Sequence, residues 1–263
     1  MKQLLLSFIL FLLTFSLGAQ DLKLGIPVGH NLYVNTARFS PNEKLVLTSS
    51  NDGTIRIWDY SSGKQLKHII LASRVFDAKF SPNGKQILSR NSDGKVQLFE
   101  TETGNELDTL KSEGCDFLSA NFSPNGKYIA AISRDFRVFI WSSRNGKLLS
   151  VLEGHRDRIR SLNFSSDGAK IVTSSDDSTA MIWDVQTGTN LNVIDGHVFS
   201  VYGTEFSPDD KKIVTSSGDM TASIWDVKSG RELHRFMHDS WVADPTFSPN
   251  GKELMTVSGD QTV

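Results

Sequence analysis

The chain is poor in several features that would point to a particular chemistry. Its 263 residues include one cysteine, Cys115, so no disulfide can form within the chain. The formal net charge is only −2, which excludes a global basic field that would draw the protein to nucleic acid or to an anionic membrane. No histidine cluster has metal-ligand spacing, and no glycine loop is placed to hold a phosphate. We therefore expect no metal, no cofactor and no nucleic-acid partner.

Long apolar runs are also absent, except for one run near the N-terminus, from Leu4 to Leu17. Lys2 precedes this run, and the small residues Gly18 and Ala19 follow it. A membrane-spanning helix needs about 20 apolar residues, so this run is too short to be an ordinary span. The pattern is typical of a signal peptide over residues 1–19. It predicts export to the periplasm, the cell surface or the medium, with no membrane span after cleavage; an uncleaved anchor is the alternative.

What the chain does contain is an internal repeat. A phenylalanine recurs at steps of 41 or 42 residues, an aromatic residue recurs in register with it, and a glycine follows that aromatic. The first column consists of Phe39, Phe80, Phe122, Phe164, Phe206 and Phe247; the second consists of Trp58, Phe99, Trp141, Trp183 and Trp225. Because independent columns keep one period, residues 20–263 are predicted to be a single domain built from one repeated unit.

Each unit is predicted to contain four short β-strands. Segments such as Ile55-Arg56-Ile57-Trp58 alternate with period two, and Ser-Pro-Asn-Gly sequences suit tight reversals between them. A lone four-stranded antiparallel sheet leaves both faces uncovered, so such sheets must stack on one another. Radial stacking gives an all-β fold, the β-propeller, with only short and protected edges.

The repeated residues resemble those of the WD-repeat β-propellers. The resemblance lies in the Gly-His opening, the aspartate six residues before the tryptophan, and the Trp-Asp close. It implies five complete blades, at about 30–70, 71–112, 113–154, 155–196 and 197–237, and a partial sixth from His238 to Val263. It also implies that Asp21–Val28 is a strand that completes the last blade. Since the sixth unit stops two residues before its Ile-Trp-Asp should begin, we expect the intact protein to continue beyond Val263.

Three units carry a histidine, a threonine, an aspartate and a tryptophan at matching positions. A catalytic triad is one interpretation, but three copies at repeat spacing favour a structural role. The resemblance implies a hydrogen-bonded chain from histidine through hydroxyl and carboxylate to the indole N–H. The second and third units depart from this pattern, with Leu71 and Glu113 at the histidine position. The complete sets are His30, Thr48, Asp52 and Trp58; His155, Thr173, Asp177 and Trp183; and His197, Thr215, Asp219 and Trp225.

Positions that vary between units are the candidate binding residues. Counted from the histidine position, positions four and seven are mostly apolar and position nine is phenylalanine, which predicts a β-bulge at positions five and six. Side chains at positions three and five, and just before each aspartate, should then point toward one rim. Aromatic residues and arginine dominate binding hot spots. The candidates, with an arginine-rich sector over units two to four, are Tyr33, Asn35, Arg74, Phe76, Leu118, Arg134, Arg158, Arg160, Tyr202 and Trp241.

We therefore expect a non-enzymatic, exported scaffold that binds a protein or peptide on one face of the propeller. One alternative is the sensing or targeting propeller of a longer enzyme, such as a protease, whose catalytic domain lies beyond Val263. Another is a propeller that binds a small molecule or glycan in its axial channel. A simpler interpretation of the variable columns is that they are merely exposed, with their aromatic residues covering neighbouring blades.

Overall fold

A computed structural model describes residues 29–110 and 114–263 of the chain. This part folds into 22 β-strands and contains no helix long and apolar enough to cross a membrane. The predicted signal peptide and the predicted strand Asp21–Val28 lie outside the described residues.

The strands follow the predicted repeat, with four strands in each of the first five units and two in the sixth. The first two units contain β1 (Val34–Phe39), β2 (Leu45–Ser50), β3 (Thr54–Asp59), β4 (Gln65–Ile70), β5 (Val75–Phe80), β6 (Gln86–Asn91), β7 (Val96–Glu100) and β8 (Glu106–Leu110). The next two contain β9 (Phe117–Phe122), β10 (Tyr128–Ser133), β11 (Val138–Ser142), β12 (Leu148–Leu152), β13 (Ile159–Phe164), β14 (Lys170–Ser175), β15 (Thr179–Asp184) and β16 (Asn190–Asp195). The last contain β17 (Val201–Phe206), β18 (Lys212–Ser217), β19 (Thr221–Asp226), β20 (Glu232–Met237), β21 (Val242–Phe247) and β22 (Leu254–Ser258).

Each complete unit forms one antiparallel sheet in which consecutive strands are neighbours. The sixth unit pairs β21 with β22 alone. The prediction of an all-β fold made of four-stranded antiparallel blades, five complete and one partial, is therefore confirmed.

The core lies between blades rather than inside any one of them. Leu47 and Ile55 of the first blade pack with Ile87 and Phe99 of the second, and all four side chains are almost completely buried. Similar clusters join the second blade to the third, the third to the fourth, and the fourth to the fifth. Because apolar burial is the main favourable term in folding, no blade is stable without its neighbours.

The first blade shows what happens to a face that no described sheet covers. Val34, on β1, exposes 47% of its surface, whereas the matching Val75 and Val201 expose 0%. Phe39, also on β1, is exposed at 58%, whereas the matching Phe206 is buried. The difference follows from position in the array, because the matching strands in later units lie against the blade before them.

A β-bulge lies near the start of the inner strand in each of the five complete blades. In the first blade Val34 pairs with Ser50 and Thr36 pairs with Ser49, so Asn35 is the extra residue. Asn35 and Thr36 together lie opposite Ser49, so the bulge occupies positions five and six, as the sequence predicted. In the sixth blade the irregularity falls between Ala243 and Thr246, where Pro245 is present and Asp244 has a φ of 45°.

Tight turns between the first and second strands link neighbouring blades at the end of the molecule opposite the histidines. The ideal Cβ position at Gly84 lies 3.5 Å from Cδ of Pro41 in the preceding unit. The ideal Cβ position at Gly251 lies 3.4 Å from Cδ of Pro208. The fourth unit has Ser166 instead of proline, and the fifth has Asp210 instead of glycine, at a φ of 57°. The Asp210 carboxylate accepts hydrogen bonds from the Ser166 backbone N–H at 2.8 Å and from its hydroxyl at 2.6 Å.

We expect Ser166 and Asp210 to be energetically coupled. S166P and D210G each remove the hydrogen bonds, but together they recreate the proline–glycine packing of the other units. The double variant should therefore be more stable than the sum of the single effects by about 1 kcal/mol. Urea unfolding of the four proteins measures this coupling, and additive effects would contradict it.

Candidate binding rim at the histidine end of the blades

A buried chain of hydrogen bonds organises this end of the fourth blade. Nδ1 of His155 lies 2.8 Å from Oδ2 of Asp177, and Nε2 lies 2.7 Å from Oγ1 of Thr173. The indole of Trp183 donates to the same threonine oxygen at 2.9 Å. The hydroxyl therefore connects the imidazole to the indole, while the carboxylate bonds the far side of the imidazole. All these polar groups have partners, as buried polar groups require.

The first and fifth blades repeat this arrangement. The imidazole–carboxylate distances are 2.9 Å for His30 and Asp52 and 2.8 Å for His197 and Asp219. The indoles of Trp58 and Trp225 donate to Thr48 and Thr215, respectively. The order implied by the family resemblance, with the carboxylate next to the indole, is therefore wrong: the carboxylate ends the chain at the opposite side, because threonine lies directly beneath the tryptophan.

Each aspartate also fixes the loop that leads into the inner strand. Oδ2 of Asp219 accepts the backbone N–H of Val198 at 3.1 Å, and Oδ1 accepts the Thr221 hydroxyl at 2.6 Å. Burial alone would raise the pKa of Asp219, but hydrogen bonds from Thr221 and His197 outweigh it and hold the pKa below its ordinary value. Burial lowers the pKa of His197, against the opposing effect of Asp219. The hydrogen bonds thus join two loops at one end of the blade: the loop before the inner strand and the turn between the second and third strands. We call this end of the blades the histidine rim.

The second and third blades are built differently at the same place. The second has Leu71 and Phe99 in place of the histidine and tryptophan, and the Oγ of Ser89 is buried without a hydrogen-bond partner. The third has Ala131 at the hydroxyl position, and Arg137 donates from Nε to Oδ2 of Asp135 at 2.8 Å. Glu113, at the histidine position, lies outside the described residues.

Three of the candidate binding residues form a row over the fourth to sixth blades. Nε of Arg160 donates to Oδ1 of Asp176 at 2.7 Å, and its guanidinium carbon lies 5.7 Å from the centre of the Tyr202 ring. The Tyr202 ring in turn meets the Trp241 ring edge to face, with their centres 6.4 Å apart. The structure therefore brings Arg160, Tyr202 and Trp241 together across three blades.

The candidates on the first three blades make separate contacts and do not form a row. Asn35 donates to the backbone oxygen of Val75 in the next blade, at 2.8 Å, and Leu118 packs against the core between the third and fourth blades. These two side chains therefore join neighbouring blades. Phe76 lies under the guanidinium of Arg90, 4.8 Å from its carbon.

The arginine-rich sector divides into paired and unpaired side chains. Arg134 pairs with Asp116 at 2.8 Å, as Arg160 does with Asp176. Arg74 and Arg158 are exposed, and no carboxylate of the described residues forms an ion pair with either. Tyr33 is also highly exposed, on the first blade. The free positive charge at this rim is therefore smaller than the number of arginines indicates.

Sequence reasoning missed three apolar residues on the same rim. Val198 and Phe199, directly after His197, expose 77% and 63% of their surfaces, and Met220, directly after Asp219, exposes 48%. At the positions of Val198 and Phe199 the fourth unit has Arg156 and Asp157. The sequence could have revealed them, because Val198 and Phe199 are apolar in a turn where the fourth unit has two charged residues.

The geometry and the comparison with known families agree. The WD domain, G-beta repeat, matches residues 23–59, 104–142, 146–184 and 188–226, which is more than half of the chain. The chain belongs to the WD-repeat family. The stretch between the first two matches contains Leu71 and Phe99, the substitutions that remove the hydrogen-bond chain from the second blade. WD-repeat domains bind protein partners.

One curated relative is similar to a part of this WD-repeat protein. It is the tRNA (guanine-N(7)-)-methyltransferase non-catalytic subunit wdr4 of Xenopus laevis, 39% identical over 57 residues. The match covers 21% of this chain and 14% of the relative. Within the residues that the structure describes, no group of three or more histidine, cysteine, aspartate or glutamate side chains could hold a metal ion.

The threonine hydroxyl should be a major stabilising group wherever the full chain is present. T215V keeps the shape of the side chain but leaves the His197 imidazole and the Trp225 indole without their shared partner. We expect it to lower the free energy of unfolding by about 2–4 kcal/mol. S89A is the matched control, because its hydroxyl has no partner and its loss should change stability by less than about 1 kcal/mol. Equal effects in denaturant unfolding would contradict this account.

Acid should destabilise the protein in two stages. The pKa of His197 lies below its ordinary value of about 6.5, so the unfolded chain binds this proton first and stability falls as the pH drops below that value. The pKa of Asp219 lies below its ordinary value of about 3.8, so its contribution is lost as the pH falls further. Unfolding free energies measured at several pH values test this, with H197Q as the comparison: H197Q should show a smaller loss in the upper range, and an equal loss would contradict the first stage.

Proposed function

We propose that this chain is a non-enzymatic scaffold that binds a protein or peptide partner on the histidine rim. One observation carries the proposal: exposed aromatic, aliphatic and guanidinium groups lie next to one another there, over a backbone that buried hydrogen bonds hold in place. Trp241 is half exposed although it packs on Tyr202, and the neighbouring turn carries Val198 and Phe199. Exposed apolar side chains on a rigid support are typical of interaction sites.

A rigid rim favours binding for a physical reason. The Asp219 carboxylate is bonded to the Val198 N–H, and the Ser217 hydroxyl donates to the Phe199 backbone oxygen at 3.0 Å. The loop is therefore ordered before a partner arrives, which reduces the entropy lost on association. The non-catalytic role in the name of the amphibian relative agrees with a scaffold, although the match covers a small part of that protein.

We also propose that the chain acts after export. The support is the sequence pattern of residues 1–19, in which a lysine precedes a run of apolar residues that ends in small residues.

The test is capture of partners by the immobilised protein, from the exported and the cytosolic fractions separately. The double variant R158A/Y202A should fold normally, because Arg158 is exposed and Tyr202 is only partly buried at the rim, outside the clusters between blades, and should reduce capture at least about tenfold. The matched control is R144A, an exposed arginine in a turn at the opposite end of the third blade. Equal capture by the double variant would remove this rim from consideration, and a partner found only in the cytosolic fraction would contradict export.

A further inference from the structure

The histidine rim has an apolar part on the fifth and sixth blades. Val198, Phe199, Tyr202, Met220 and Trp241 form what we call the apolar patch. The side chain of Tyr202 lies over Gly218, whose ideal Cβ position is 2.9 Å from the phenol oxygen, and the Trp241 ring covers Gly259 in the same way. The backbone N–H of His238 donates to the oxygen of Met220 at 2.9 Å, which links the two blades.

The fourth blade, next to this patch, presents two arginine side chains that form no ion pair among the described residues. These are Arg156 and Arg158, and both are exposed. The nearby carboxylates already have donors: Asp177 accepts from His155 and from the Arg156 N–H, and Asp157 accepts the Arg158 N–H at 2.6 Å. Two guanidinium groups are therefore available to an external anion.

Arg160 joins the two parts. Its guanidinium is fixed by Asp176 on one side and lies over the Tyr202 ring on the other. Beyond the patch, on the sixth blade, the exposed Asp239 carries the opposite charge. The rim thus offers two guanidinium groups without a carboxylate partner on the fourth blade and an exposed carboxylate on the sixth, with the apolar patch between them. A ligand that complements this order has its own anionic end over the fourth blade.

We propose that the rim binds an extended acidic peptide, with an apolar or aromatic side chain on the apolar patch and carboxylates facing Arg156 and Arg158. This rests on the proposed binding function and adds the chemistry of the partner. A guanidinium group binds a carboxylate through paired, charge-assisted hydrogen bonds. A large apolar side chain gains most by covering Phe199 and Trp241, which water now contacts. The aliphatic Val198 and Met220 favour an apolar peptide side chain over a nucleic-acid base, since bases bind proteins mainly by stacking on aromatic rings.

The first part of the experiment is a selection that does not assume the answer. A display library of random short peptides is panned on the wild-type chain, and the enriched peptides are synthesised and their dissociation constants measured. We expect enriched peptides to carry net negative charge and at least one large apolar residue, and to bind more weakly as salt is added, because salt screens exposed charges. A single-stranded oligonucleotide is the competing probe, and tighter binding of that probe than of the peptides would overturn the inference.

The second part separates the two components of the site. R156A/R158A and F199S should each weaken the selected peptides by about tenfold or more. The matched controls are R144A and F39S, an arginine and a phenylalanine that are exposed away from this rim, and they should change binding by less than about twofold. Circular dichroism and unfolding curves verify that each variant is folded.

The outcomes also distinguish the two proposals. If F199S weakens binding but R156A/R158A and salt do not, the rim is a binding surface and the acidic partner is wrong. If neither variant weakens binding, or if no peptide is enriched, both the acidic partner and the binding role of this rim are overturned.

Discussion

A four-stranded sheet has two faces, and both must be removed from water if the strands carry apolar residues on each side. The central strands of this protein are buried on both faces: in the fourth blade, Ile182 packs toward the fifth blade and the adjacent Trp183 packs toward the third. Every blade therefore needs a neighbour, and the hydrophobic clusters of the structure lie between consecutive blades. The repeat period of the sequence and the exposure of Val34 are both consequences of this single requirement.

Burial between blades leaves the ends of the strands to be organised by polar groups. At one end the Asp–His–Thr–Trp chain connects the loop before the inner strand to the loop after the second strand. At the other end, proline of one unit packs against glycine of the next, and where both are replaced, Ser166 and Asp210 form hydrogen bonds instead. Where Ser166 and Asp210 replace the proline and glycine, the polar groups brought in are paired with each other, whereas the second blade, which lacks the histidine and tryptophan, leaves the Ser89 hydroxyl without a partner.

The residues that we propose for binding are those that differ between units, because the shared residues are already used by the fold. His197, Thr215 and Asp219 have all their polar atoms engaged inside the blade, so they are not available for catalysis or for a ligand. The side chains that differ at the rim, such as Phe199 and Arg158, are free to contact a partner while the backbone beneath them stays ordered. A repeat fold can thus change its partner by substitution at a few loop positions with little loss of stability.

The sequence by itself determined the fold class, the approximate extent of the blades and the position of the bulge, because each depends on the hydrophobic periodicity and turn residues within one unit. It also identified the members of the hydrogen-bond chain, but their order was decided only by the tertiary structure, which places Thr173 beneath Trp183 and Asp177 beyond His155. The same is true of the rim. That Asn35 joins two blades, that Arg160 lies over Tyr202, and that Tyr202 meets Trp241 depends on how neighbouring blades are arranged in space. Contacts between residues about forty positions apart depend on how the blades pack, so they cannot be predicted from the sequence of one unit.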